Sequence, residues 1–192
     1  ILWPLPYRFA LKTIFVIDPL YTVPLLISLI YVFKNKSVLL RKKYLFRGLL
    51  ISSTYLLITC GLKLFALHKF ENALKSQCLS YSEIIVKPTA FNTILWNANV
   101  KTREGYLLAD YSLLDSQPIS FTLYTDNKEA GKQIFNSSKY RKLVTVSEGW
   151  HIVSRQDNRI YFNDLRFGLL NDNPNAPQFA FSYEFIQQPD GS

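Results

Sequence analysis

Ile14-Phe15-Val16-Ile17-Asp18-Pro19-Leu20-Tyr21-Thr22-Val23-Pro24-Leu25-Leu26-Ile27-Ser28-Leu29-Ile30-Tyr31-Val32-Phe33 is a near-continuous apolar run with one acid, Asp18, close to its start. Twenty helical residues at about 1.5 Å each reach roughly 30 Å, the thickness of a bilayer's hydrocarbon core. No polar face interrupts Pro19–Phe33, as a soluble core helix would require, so the stretch reads as a membrane span carrying a carboxylate near one end. An Asp-Pro pair also opens helices, Asp as the cap and Pro in the first turn. The helix itself then starts at Asp18 and keeps about fifteen residues, near 22 Å.

Working outward, Ile1–Tyr7 sets Trp3 and Tyr7 among prolines, a composition suited to the headgroup boundary, with Arg8 and Lys12 within reach of phosphates. Prolines and Arg8 interrupt the apolar character that a signal peptide needs. Downstream, Lys34–Arg47 holds six bases (Lys34, Lys36, Arg41, Lys42, Lys43, Arg47) and no acid. Such a loop between two apolar segments stays in the cytoplasm. Gly48–Leu67 is the second span, its hydroxyls free to bond backbone carbonyls and Lys63 to snorkel. His68–Gln77 continues it as an amphipathic stalk. Asp18 and everything after His68 then share the outer side.

Beyond Leu79 the texture changes to short alternating segments: Asn92–Lys101, Tyr106–Leu114, Ile119–Tyr124, Trp150–Ser154, Arg159–Asn163 and Phe179–Ile186. Their period of two and their aromatic and β-branched content predict strands. Arg103-Glu104-Gly105 and Gln156-Asp157-Asn158 read as hairpin turns, and Asn127–Phe135 and Ser138–Val146 as short helices. Asn171–Pro177 reads as a loop and Gln187–Ser192 as a frayed tail. The fold class expected is a membrane α-helical hairpin (residues 1–76) followed by a small α+β domain with a mainly antiparallel sheet (residues 77–192).

Charge divides the same way. The whole chain carries a formal +8. Residues 1–76 hold eleven Lys/Arg against Asp18 and Glu71; residues 77–192 hold eleven bases against twelve acids. The excess sits beside apolar helices, which points to a lipid bilayer as partner and not to nucleic acid. Cys60 and Cys78 lack metal-knuckle spacing and read as unpaired thiols. No phosphate loop, nucleophile elbow or zinc-finger spacing occurs, and the Asn136-Ser137-Ser138 sequon is too short to carry weight. The chain contains no Met and opens inside an apolar segment, so the expectation is a fragment or processed product with membrane helices missing upstream.

Asp18 is the leading candidate for chemistry, because a carboxylate in a membrane segment is costly unless it pairs, caps a helix or binds a metal. Both the cap and the ligand reading stay open. His68 and Glu71, spaced i, i+3 at the outer end of the second span, would with Asp18 suit zinc or another divalent ion; a plain surface pair is the alternative. His151, between Trp150 and Ile152, reads as a satisfied sheet residue. Asp164-Leu165-Arg166 reads as an internal ion pair or a solvated turn.

The run Arg8-Phe9-Ala10 followed by Ile14–Leu26 resembles the C-terminal part of the membrane-bound metal-dependent hydrolase family (YdjM-like inner-membrane proteins). Pro88–Trp96 and Asp164-Leu165-Arg166-Phe167-Gly168 are similar too. The resemblance implies a multi-pass protein of the bacterial inner membrane with an extracytoplasmic C-terminal domain. It also implies a divalent metal ion, zinc, held largely by upstream histidine and aspartate motifs, with Asp18 in this chain as a metal ligand or a carboxylate lining the site. A metal of this kind would lower the pKa of a bound water and polarise a scissile bond. No catalytic residue is identified, and the substrate is undefined. The competing expectation is a non-catalytic, membrane-anchored binding or scaffolding domain.

Overall fold

The computed structural model describes residues 12–15, 18–90, 92–156, 159–171 and 177–185. Helices come first and a small domain with antiparallel sheets follows. The order is α1 (Pro19–Lys34), α2 (Val38–Ser76), β1 (Glu83–Pro88), β2 (Leu95–Lys101), β3 (Gly105–Ser112), β4 (Thr122–Thr125), α3 (Lys128–Ile134), α4 (Ser138–Val146), β5 (His151–Gln156), β6 (Arg159–Asn171) and β7 (Gln178–Phe185). Two compact units result: α1 and α2 with residues 86–97 and 110–119, and residues 79–85 and 98–109 with everything from 120 onward.

In the first unit α1 starts where the Asp-Pro signal places it, Asp18 capping and Pro19 in the first turn. The expected basic loop is mostly helix: only Asn35–Ser37 connect α1 to α2, which runs unbroken for 39 residues. The reason is local, since Val38–Arg47 contains no proline or glycine and charge alone does not break a helix. α1 and α2 pack as an antiparallel pair. Tyr31 stacks on Tyr44 at 5.1 Å, Ser52 Oγ donates to Tyr21 O at 3.5 Å, and Tyr55 reaches Asp18. Gly48 makes the pair close, because a methyl group there would stand 2.5 Å from Ser28 Cβ.

The far end of α2 is more than a stalk. Ala66, Phe70 and Leu74, four residues apart on one face, are fully buried, and Phe70 meets Tyr111 of β3 edge-on at 6.0 Å. Gln77 Nε2 donates to Ile119 O at 2.8 Å. Trp96, also fully buried, donates its indole N–H to Thr93 O. Asn92 shapes the turn before β2 by accepting the N–H groups of Ile94 and Leu95.

The described strands form a four-stranded sheet, β1-β2-β3-β4, and a three-stranded antiparallel sheet, β5-β6-β7. Within the second unit Tyr106, Leu108, Tyr124, Trp150, Ile152, Leu165 and Phe179 make one apolar cluster. Ala130 and Ile134 of α3 with Val153 and Ile160 make another. The expected helices match α3 and α4 closely; β1 went unpredicted, and β6 runs far beyond Asn163. β6 does so through an irregularity between Asp164 and Leu169, where Gly168 takes φ +78, a conformation glycine adopts without penalty. The expected interfacial segment 1–7, the second hairpin turn, the loop after Asn171 and the tail lie wholly or largely outside the described residues.

Candidate functional site

Asp18 is 2% exposed. Its Oδ1 accepts the Leu20 N–H at 2.9 Å, and its Oδ2 accepts the Tyr55 hydroxyl at 2.7 Å. One carboxylate thus caps α1 and ties it to α2. On α2, Tyr55 lies eight residues after Arg47 and eight before Lys63, so Asp18 stands about 12 Å along the helix from either base. Tyr55 was not singled out in the sequence. The available signal was a lone hydroxyl-bearing aromatic in the middle of an apolar segment.

His68 and Glu71 do not join Asp18. His68 Nε2 instead lies 3.0 Å from the Asn72 side-chain amide, one turn on. Among the described residues no three His, Cys, Asp or Glu side chains stand together as a metal site. Cys60 and Cys78 are free thiols, Cys78 exposed and Cys60 half-buried.

In the second unit His151 lies in the sheet, in β5, but it is only half satisfied, since its buried Nδ1 has no hydrogen-bond partner among the described residues. Its ring stacks on Phe162 at 4.5 Å and its Nε2 lies 3.2 Å from the Tyr140 hydroxyl. Burial holds its pKa below the ordinary 6.5, partly opposed by the negative charges of Asp126 and Asp164. Burial likewise raises the Tyr140 phenol. A folded-state imidazole with a depressed pKa stabilises the fold fully above 6.5 and progressively less as pH falls below that value. Replacing His151 with glutamine is therefore expected to flatten the stability profile on the acid side of pH 6.5, read as the midpoint of urea unfolding against pH. A profile unchanged by the substitution would show that His151 does not set it.

Asp164 and Arg166 form the internal ion pair, not a solvated turn. Arg166 approaches in a fork, Nη2 to Oδ2 at 2.7 Å and Nε to Oδ1 at 3.1 Å, with Asp164 buried. That carboxylate is the main reason the guanidinium pKa rises. The pair sits within β6 at its irregularity, a structural position. No family model, curated protein or solved structure matches this chain.

Proposed function

We propose that the chain is a membrane-anchored binding module: the α1/α2 pair lies in lipid and the antiparallel domain is presented outside the cytoplasm. The observation that carries this is the apolar surface the two helices leave exposed. Phe33 is 80%, Leu39 81% and Leu57 73% exposed, with Leu20, Leu26, Phe46 and Leu64 also open. A water-facing helix pair does not carry such a surface without a partner. α2 is long and apolar enough to cross a membrane, whereas α1, at 16 residues or about 24 Å, is shorter than a full crossing. The basic residues from Lys34 to Arg47 favour the cytoplasmic side for the turn. With Arg47 and Lys63 as the two interfacial anchors, Asp18 lies within the apolar layer instead of at its edge, and its two donors are what make it tolerable there.

The two native thiols test the arrangement. A membrane-impermeant maleimide applied to intact spheroplasts is expected to label Cys78 and to leave Cys60 unmodified until detergent is added. Labelling of Cys78 only after lysis would invert the topology, and equal labelling of both thiols would remove Cys60 from lipid.

The metal-dependent hydrolase reading that the resemblance implies rests, in this chain, on Asp18 alone, with bilayer-embedded upstream helices supplying the remaining ligands. Zinc content of the protein as the cell makes it, compared with Asp18→Asn, decides it.

A further inference from the structure

The β5-β6-β7 sheet has one face packed on α3. Its register sets Ile152, Ser154 and Gln156 of β5 on the opposite face with Tyr161 and Asn163 of β6 and Ser182 of β7. Ile152 is core, but beyond it the face becomes polar and opens into a cavity of about 480 Å³, within the size range of small-molecule sites. At its floor Asn163, 2% exposed, holds a short relay: the Ser182 hydroxyl donates to Asn163 Oδ1 at 2.7 Å, and Asn163 Nδ2 donates to Ser154 Oγ at 2.8 Å. The buried amide fixes the sense of both hydroxyls. Ser154 keeps its proton to give, and Ser182 keeps lone pairs to accept.

The cavity wall adds the amides of Gln156 and Gln178 and the rings of Tyr124 and Phe179, which meet at 5.7 Å. None of its described lining residues is charged, and Arg159 and Glu184, which the register sets on the same sheet face, pair with each other at 3.1 Å. A charged ligand would enter without a counter-charge, at the cost of its hydration. We propose that this cavity binds a neutral saccharide. Sugar hydroxyls offer donors and acceptors side by side, as the relay requires, and the apolar C–H faces of a sugar ring match the aromatic wall. An extended peptide is the competing occupant, but it would pair along a strand edge, and the relay projects from a sheet face. The inference names a ligand for the binding-module reading and rests on it.

The test is calorimetric titration of the whole chain in detergent micelles with N,N′-diacetylchitobiose, maltotriose and a blocked alanine tripeptide. At least one saccharide is expected to bind at millimolar concentration or below. Ser154→Ala and Ser182→Ala should each weaken that binding about threefold to tenfold, the loss of one neutral hydrogen bond, while still unfolding cooperatively at a melting temperature lowered because the buried Asn163 amide loses a partner. Asn163→Asp, which withdraws the donor from Ser154, should abolish binding. Binding of the tripeptide alone, of no probe by the folded protein, or of a saccharide with unchanged affinity in both serine variants overturns the proposal. Because micelles replace the bilayer, the outcome is independent of the thiol-labelling result that tests the anchor.

Discussion

Phe70→Ala will destabilise the first unit by about 3–5 kcal/mol, the usual cost of deleting a fully buried aromatic side chain. The size of the effect follows from where Phe70 sits. The last turns of α2, His68–Ser76, are largely polar, so neither lipid nor an apolar stripe of ordinary width holds them. What fastens them is the line Ala66, Phe70 and Leu74, all fully buried, with Phe70 set edge-on against Tyr111 and Gln77 bonded to Ile119 O. Removing the central ring leaves a void that its two neighbours, an alanine and a leucine, cannot fill without moving the helix. Phe70→Leu keeps most of the volume and is expected to cost about 1 kcal/mol. The measurement is urea unfolding in micelles followed by tryptophan fluorescence, with proteolysis in the segment after Ser76 as a second readout. Stability of Phe70→Ala within about 0.5 kcal/mol of Phe70→Leu would mean the contact is not a fastening.

The same residues mark how far the sequence could be read. Signals confined to one turn were legible: Asp18-Pro19 placed the start of α1, and the breaks around Asn127 and Ser138 placed α3 and α4 almost to the residue. Misreadings arose where a correlate stood in for a cause. A run of bases suggests a loop, yet nothing in Val38–Arg47 prevents a helix, and α2 begins there. β1 was invisible because Glu83–Pro88 is short, ends in proline and lacks a clear alternation. β6 was cut off at Asn163 because the irregularity at Asp164–Leu169 resets the alternation that would have extended it. The site contacts fail for a different reason. Tyr55 and Asp18 are 37 positions apart, and Ser182 and Asn163 are 19 apart. No local period encodes such pairs; only the folded chain brings them together. Fold class was therefore legible at the level of helices followed by antiparallel sheets, whereas Asp18 was legible as a candidate but its partner was not.

Asp18→Ala is expected to cost about 2–4 kcal/mol in the helix pair, and the parts can be separated. Losing an N-cap costs about 1 kcal/mol, because the Leu20 N–H is left without an acceptor. Losing the charged acceptor of the Tyr55 hydroxyl, which keeps Thr93 as its other partner, adds about 1–3 kcal/mol. Tyr55→Phe removes the hydroxyl and spares the cap, so it should cost about 1 kcal/mol. The double variant Asp18→Ala/Tyr55→Phe no longer contains a hydroxyl that has lost its carboxylate and should be less destabilised than the sum of the two, by about 0.5–3 kcal/mol. Asp18→Asn retains one good acceptor for two donors and should fall between parent and alanine variant. Unfolding in mixed micelles, read by far-ultraviolet circular dichroism, measures all four proteins, and additive single effects would mean the carboxylate and the phenol are not bonded. The same variants bear on chemistry. If Asp18 only caps and ties helices, Asp18→Asn loses stability while zinc content stays that of the parent. If it is a ligand completed by upstream residues, zinc content falls in Asp18→Asn but not in Tyr55→Phe, which leaves the carboxylate in place. A tie between helices and a metal ligand are thus distinguished by two conservative substitutions, each altering one function of the same side chain.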